Sequence, residues 1–288
     1  MIKYLGSKRT LLPTILAAVK GCPEVRTVVD LFSGTSRVGH ALKAEGYRVF
    51  ANDVNAYAAT LARCYVEADA EDVADEARSL IAEFNALPPR PGFFTETYCE
   101  RARYFHPKNG ARVDAIRDAV AAKGLRPELE AVCLVALMEA ADRVDSTTGV
   151  QMAYLKSWAT RASRELELRL PALLPRSSVG KSRATCLDAR EAAVVLRGDL
   201  VYLDPPYNRH SYLGNYHVWE TLIRWDRPEV YGVACKRDDV RTRRSDFNSS
   251  PIVVDVWTNM LAAIDAPVVV ASCNDEGFLP LSAVEELL

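Results

Sequence analysis

Histidine is scarce in this chain and cysteine is scattered. The four histidines include no H-E-x-x-H and no paired spacing, so the sequence offers no zinc site. The seven cysteines form no C-x-x-C pair, a distribution that excludes a disulfide framework and predicts reduced thiols buried for structural reasons. No apolar run approaches the roughly 18 residues of a membrane span. The N-terminus, MIKYLGSKRT, opens with charge rather than with an apolar leader core. These absences predict a cytoplasmic protein with no membrane partner. An excess of one charge is missing too: 36 Lys and Arg against 38 Asp and Glu leave a net charge of −2, which by itself names no partner. There is no internal repeat and no low-complexity segment.

What is present is an ordinary globular composition, 49% hydrophobic and 26% charged, over 288 residues, a length suited to one large domain or to one domain carrying an insertion. "TVVDLFSGTSRVGHAL" reads as a strand over 27–31, a small-residue turn at Gly34 and a helix bearing Val38, Ala41 and Leu42. A second strand over 47–51 leads to Asn52 and Asp53 and then to helical spacing over 56–67. Strand, helix, strand, helix opens a parallel α/β sheet. Residues 68–183 carry apolar residues at intervals of three to four, in "EDVADEARSLIAEFNAL", "NGARVDAIRDAVAAKG" and "PELEAVCLVALMEAADRV", and predict a helical insertion. β-type runs return at 184–187, 200–203 and 268–271. The sequence therefore predicts an α/β domain from residues 1–67 and 184–288, interrupted by helices over 68–183.

Two places in that frame carry chemistry. The turn at Gly34 lets backbone approach a ligand at a helix N-terminus, with Asp30 at the preceding strand end; Asp53, at the end of the second strand, stands where an acid accepts ribose hydroxyls. Together they point to an adenosine-containing cofactor, although tight strand-to-helix turns also favour glycine for structure alone. The dinucleotide fingerprint fails, because Ser36 stands where its second glycine belongs. "VGKS" at 179–182 fails as a phosphate loop, because Pro175 stands where that motif needs glycine, and reads as a solvated basic loop. The second place is "LVYLDPPYNRHSYLGNYHVWET". Asp204, Pro205, Pro206 and Tyr207 follow a short strand directly, and two prolines allow neither strand nor helix to continue, so an acid and an aromatic sit on a stiff turn at a strand's C-terminal end. Open α/β sheets bind their ligands at such ends.

Asp-Pro-Pro-Tyr together with "DLFSGT" resembles the class I S-adenosylmethionine-dependent amino-methyltransferases, and specifically the D12-type DNA adenine-N6 methyltransferases. The order also matches: "KYLGSK" first, the cofactor loop next, then an insertion that serves target recognition, then the catalytic turn. "NYHVWET", "YGVACKR" and "FNSS" resemble blocks of bacterial adenine-specific DNA methylases. The resemblance implies a Rossmann-like sheet, S-adenosyl-L-methionine as cofactor and double-stranded DNA as substrate, either with a companion restriction endonuclease or as an orphan enzyme. It implies that Tyr4, Gly6 and Lys8 contact the methionine part of the cofactor, that Asp30, Phe32, Ser33 and Gly34 line its amino-acid pocket, that Asp53 holds the ribose, and that Asp188 of "CLDA" meets the adenine amino group. Ser36 departs from the family's usual glycine.

The chemistry accounts for these residue types. The exocyclic amine of adenine is a poor nucleophile, because its lone pair is delocalised into the ring. A carboxylate on Asp204 and the carbonyl of Pro205 can each accept one N6–H and aim that lone pair at the methyl group. Tyr207 would stack on the flipped base. Asn208, Asn215, Tyr216 and His217 are expected near the substrate, His217 being either a base or a structural histidine, while Trp219 reads as core. Between Lys156 and Arg183 seven bases face two acids, which suits phosphate contacts by Lys156, Lys181 and Arg183 or a plain solvated face. The same turn would serve RNA amines or cytosine N4, and a binding module without catalysis would keep only the fold. A protein-glutamine acceptor fits less well, since those enzymes carry asparagine where Asp204 stands. Finally, class I sheets continue into a further antiparallel pair after the stretch at 268–288, so the chain reads as truncated at its C-terminus, with an unprotected sheet edge.

Overall fold

TVVD and LVYL are apolar with almost no alternation, and strands of that kind have to be covered on both faces. In the computed structural model, which describes residues 1–273 and 277–288, they form β1 (Thr27–Asp30) and β4 (Leu200–Leu203) of a five-stranded parallel sheet. β2 (Arg48–Asn52), β3 (Arg183–Thr185) and β5 (Val268–Ala271) complete it in the order β3-β2-β1-β4-β5. Val28 pairs with Val49 on one side and Leu200 on the other, and Leu200 pairs with Val268. The chain winds from β1 outward to β3, then returns to the other side of β1 for β4 and β5. The switch point therefore lies between β1 and β4, where a doubly wound sheet opens a crevice at its C-terminal edge.

Alternate side chains of these strands go to two separate cores. Val28, Val49, Leu200 and Tyr202 pack with Ile15 and Val19 of helix Leu12–Lys20 and with Val38 and Leu42 of helix Arg37–Ala44. Val29, Val201 and Leu203 pack with Ala192 of helix Ala189–Val195 and with Val256, Trp257 and Met260 of helix Val253–Ala263. The expected strand bounds hold at 200–203 and 268–271 and shift by a residue or two elsewhere. Within the stretch at 268–288, residues 274–276 lie outside the described residues, and Leu281–Leu287 is helical.

Two compact units make up the chain. The sheet unit comprises Ser7–Asp69, Leu174–Ser211 and Arg244–Leu288; the helical unit comprises Met1–Gly6, Ala70–Leu173 and Tyr212–Arg243. The helical unit thus takes in the first six residues and Tyr212–Arg243 as well as the expected insertion. Its helices Ala70–Ala86, Pro107–Lys123 and Pro127–Arg143 follow the apolar periodicity. Proline starts the second and third, and Gly124, at φ 56°, ends the second in the left-handed conformation. Residues 144–170, placed within the helical insertion, hold only a short turn of 3-10 helix at Thr160–Ser163, and PALLPRSSVGKSR is a loop up to the start of β3, as its prolines and glycine predict.

The sheet unit is closed where the chain leaves and re-enters it. Lys43, whose side chain is fully buried, donates to Val66 O, Ala68 O and Asp69 Oδ1 at 2.8–2.9 Å, and Arg176 Nε donates to Asp69 Oδ2 at 2.7 Å. Burial alone would raise the Asp69 carboxyl, and the Lys43 and Arg176 bonds outweigh it and hold it below the usual range. Removing one partner of such a pair strands a buried charge, at a cost of about 3–5 kcal/mol. Lys43→Met is expected to lose that much in urea unfolding at neutral pH, and a loss under 1 kcal/mol would show the pair to be dispensable.

Candidate active site

β1 and β4 are neighbours in register, Asp30 opposite Tyr202, so the first residue past β4, Asp204, lies two positions beyond the partner of Asp30. The two carboxylates are thereby set at the crevice of the switch point. Asp30 is 1% exposed, and neither of its oxygens makes a well-formed hydrogen bond among the described residues. Burial, then the charges of Asp204 and Asp53, push its pKa up to about 7; the Gly39 N–H and the Ser33 hydroxyl offset only part of this.

The turn after β1 is stiff. Ser33 N–H donates to Asn52 O at 2.8 Å and Ser36 N–H to Ser33 O at 2.7 Å; Ser33 and Ser36 hydroxyls lie 3.0 Å apart. Ser36 has φ 60°, a left-handed conformation that glycine adopts without strain, which explains why glycine is expected there. Ser36 is fully buried, and its hydroxyl bond compensates part of the strain. Gly34 N–H donates to Asp53 Oδ2 at 3.0 Å, and Asp53 Oδ1 accepts from Asn55 N–H at 2.9 Å. Asn52, missed by sequence reasoning, joins three strand ends: its Nδ2 donates to Leu31 O and Leu187 O, and its Oδ1 accepts from Thr185. An asparagine ending a strand carries no distinguishing sequence signal.

The Asp-Pro-Pro-Tyr turn is anchored by its own groups. Lys8 Nζ lies 2.8 Å from Asp204 Oδ1, donates to Tyr207 Oη at 3.0 Å and sits 5.0 Å from the Tyr207 ring centroid. The Tyr207 hydroxyl bears one proton for two acceptors, Asp204 Oδ1 and Ser272 O, the latter at 2.9 Å. Leu203 O accepts from Ser272 N–H and Tyr207 O from Phe278 N–H, both at 2.8 Å. Burial raises the Asp204 carboxyl and Lys8 pulls it part of the way back; burial, then Asp204, hold the Tyr207 hydroxyl protonated. Pro205 is buried between these anchors, and Pro206 is half-buried. Asn208 continues the turn, its side chain accepting from His210 N–H at 3.0 Å and its carbonyl accepting from Asn248 at 2.5 Å.

The remaining expected residues divide. Phe32 meets Phe247 edge-on at 5.1 Å, and Asp188 caps helix Ala189–Val195 while paired with Arg190 at 3.0 Å. Tyr4 and Gly6 belong to the helical unit, where Tyr4 stacks on Tyr216 at 4.5 Å and on Tyr212 at 5.2 Å. Two expectations are corrected. Tyr216 is 1% exposed, its hydroxyl accepting from Leu5 N–H at 2.6 Å, and His217 is wholly buried with Nε2 at 2.8 Å from Gln151 O, so neither presents a face to a substrate. Burial pushes the His217 imidazole down to about 3, so it stays neutral and serves no proton transfer near neutral pH. Asn215 is half-buried, its carbonyl accepting from Gln151 N–H; Trp219 is core, as expected. Lys156 is exposed, while Lys181 and Arg183 stand where β3 begins, Arg183 opposite Phe50 and one row short of the row of Asp30. Of the thiols expected to be buried, Cys64, Cys99, Cys133 and Cys235 are; Cys22 and Cys273 are half-buried and Cys186 is exposed. Among the described residues no cluster of three or more His, Cys, Asp or Glu forms a metal site, and no helix is long and apolar enough to cross a membrane.

A doubly wound sheet with an acid ending β1 and Asp-Pro-Pro-Tyr ending the adjacent β4 has the layout of the class I methyltransferases. Within that class the chain belongs to the D12 class N6 adenine-specific DNA methyltransferases, whose family model matches residues 4–269. It is 30% identical to the type II methyltransferase M.NlaIII of Neisseria lactamica over 99% of this chain and 87% of that protein. It is 26% identical to the modification methylase LlaI of Lactococcus lactis subsp. lactis and 29% identical to the type II methyltransferase M.FokI of Planomicrobium okeanokoites, covering 48% and 46% of their lengths. The chain thus spans nearly all of the first relative and about half of the other two.

Asp30 gives a sign to the pH dependence of stability. Its folded pKa of about 7 lies above the unfolded value of 3.8, so stability is lost as pH rises between the two. Asp30→Asn is expected to be more stable than the parent at pH 8, by up to about 4 kcal/mol, and no more stable at pH 4. A chemical-denaturation series across pH checks this; a less stable variant at pH 8 would contradict it.

Proposed function

We propose that the protein moves a methyl group from S-adenosylmethionine to the N6 amine of an adenine flipped out of duplex DNA. The observation that carries this reading is the buried Asp30 carboxylate, without a well-formed bond, two register positions from Asp204. A cationic group beside Asp30 would relieve the repulsion and the burial together, and the α-ammonium of the cofactor's methionine has that charge. The donor set fits the rest of the molecule: Ser33 and Gly34 offer small-residue backbone, Phe32 an aromatic wall, Asp53 an acceptor for ribose hydroxyls and Asp188 an acceptor for the adenine amine. Tyr4, Gly6 and Lys8 are assigned to the methionine part on the family motif. When bound, the cofactor supplies an electrophilic methyl on sulfur.

Everything else is done by the turn. Asp204 and the Pro205 carbonyl accept the two N6 hydrogens and thereby draw the nitrogen toward a pyramidal shape with its lone pair directed. Pro206 fixes the peptide that carries them. The Lys8 ammonium occupies the position beside Asp204 and over Tyr207, and it has to withdraw for Asp204 to take an N6 hydrogen and for the Tyr207 ring to stack on the base. Unstacking that base costs a few kcal/mol, and stacking on an aromatic returns about 1–3. The helical unit, with exposed Lys156, is assigned to target recognition. Cytoplasmic location and protection of DNA from a companion restriction endonuclease follow from the same reading, supported by relatives named type II methyltransferases and modification methylases.

Modified-base sequencing of DNA from cells expressing the chain is expected to find N6-methyladenine in one sequence context, with loss of the mark in Asp204→Ala and a fall in kcat of at least about 100-fold. Methylation of cytosine N4, or an Asp204→Ala variant that still methylates, would refute it. Lys8→Met removes the charge that pulls the Asp204 carboxyl down, so the acid limb of kcat/KM against pH is expected to move to higher pH; an unmoved limb would separate Lys8 from Asp204.

A further inference from the structure

A cavity of about 500 Å3 opens in the sheet unit. Phe50 pairs with Arg183 and Asn52 with Thr185, so Arg48 and Arg183 mark the starts of β2 and β3 while Asn52 marks the end of β2 next to Asp53. Four residues at ~3.3 Å each separate the two ends of β2 by about 13 Å. Phe50 and Arg183 lie one row short of the Asp30–Ala51 row, but Phe50 packs on the Val29 face of the sheet and Asp30, the next residue, is on the other face, so the cavity is distinct from the crevice at the switch point.

Its wall brings together Arg48, Lys181, Arg183 and Arg197 with Phe50 and Leu196, and with the one carboxylate of Glu67. The cations are held in place. The Arg48 guanidinium lies 4.8 Å from the Phe50 ring centroid and donates from Nε to Lys181 O at 2.8 Å. Ser182, 2% exposed, accepts from Val49 N–H at 3.0 Å and pins the Lys181–Arg183 segment to β2. Arg197 donates to Leu196 O at 3.2 Å and lies 3.1 Å from Asp265. Asp69, 3.5 Å from Lys181, is also bonded by Lys43 and Arg176, and Glu67, in the wall itself, is bonded by Arg63 at 3.2 Å. Arg183 pairs with no acid among the described residues. Cations converging beside the low-dielectric wall of Phe50 and Leu196 concentrate a positive field inside the cavity.

We propose that this cavity binds a nucleoside polyphosphate, its phosphates among the four cations and its nucleoside against Phe50 and Leu196. Guanidinium forks match phosphate oxygens, and a cavity of this size falls in the range of about 300–1,000 Å3 that small ligands occupy. A single DNA phosphodiester carries one charge and needs no cavity. The assignment goes beyond the methyl-transfer reading and does not rest on it.

The test is calorimetric titration of ADP, and separately of inorganic pyrophosphate, into the full chain with S-adenosylhomocysteine at saturating concentration, so that any adenosine pocket at the crevice is filled. One ADP per chain is expected. Arg183→Glu and Arg48→Gln are each expected to weaken it at least about tenfold, and Phe50→Ala to weaken ADP but not pyrophosphate, with S-adenosylhomocysteine affinity unchanged in all three and the melting temperature unchanged in Arg183→Glu. Absence of ADP binding at millimolar concentration, or binding indifferent to both arginine variants, overturns the proposal. So does a result in which the variants flatten only the salt dependence of duplex-DNA binding, which would make the cavity a backbone contact. If S-adenosylhomocysteine itself does not bind, the methyl-transfer reading fails, while the response of ADP to the arginine variants still decides this one.

Discussion

Strand register places two negative charges side by side, and the rest of the crevice is organised around that placement. β1 and β4 are adjacent because the sheet reverses its winding between them, and both end in an aspartate within two residues of a paired position. Burial, and then the charge of Asp204, raises the pKa of Asp30. Lys8 satisfies Asp204, the member on the proline turn, and leaves Asp30 held by burial among weak partners. In the proposed function this is what suits the crevice to a positively charged ligand before any particular contact to that ligand is considered.

Holding such a pair demands rigid supports. On one side the turn after β1 is fixed by Asn52, by the Asp53 bond to Gly34 N–H and by Ser36 in a left-handed conformation. On the other, two prolines, the Ser272 contacts and the Phe278 bond hold Asp204 and Tyr207 in one arrangement. Lys43, on the helix that follows the turn after β1, and Asp69 close the unit where the chain leaves it. In the proposed function Lys8, paired with Asp204 and Tyr207, is the group that withdraws to open the turn to an amine.

Sequence carried the fold well wherever local rules govern. Fully apolar runs named the central strands, three-to-four periodicity named the long helices, and two adjacent prolines after a strand named the turn, since no other local structure admits them. It carried long-range partnership poorly. The contact of Lys8 with Tyr207 spans 199 positions and leaves no local trace. His217 looked functional for being polar and near the motif, yet Gln151, distant in sequence, makes it part of the core. Lys181 and Arg183 read as substrate contacts by charge count, and only the strand pairing shows that they stand at the start of β3, Arg183 opposite Phe50.

The central claim is that Asp30 is a carboxylate awaiting a cation. Calorimetry of S-adenosylmethionine binding at pH 7, in buffers of different ionisation enthalpy, counts the protons exchanged on binding. With the free carboxyl at about 7 and a cation that pulls it down, the parent chain is predicted to release about half a proton per cofactor and Asp30→Asn none. Equal proton counts in the two proteins, or uptake by the parent chain, would contradict the account.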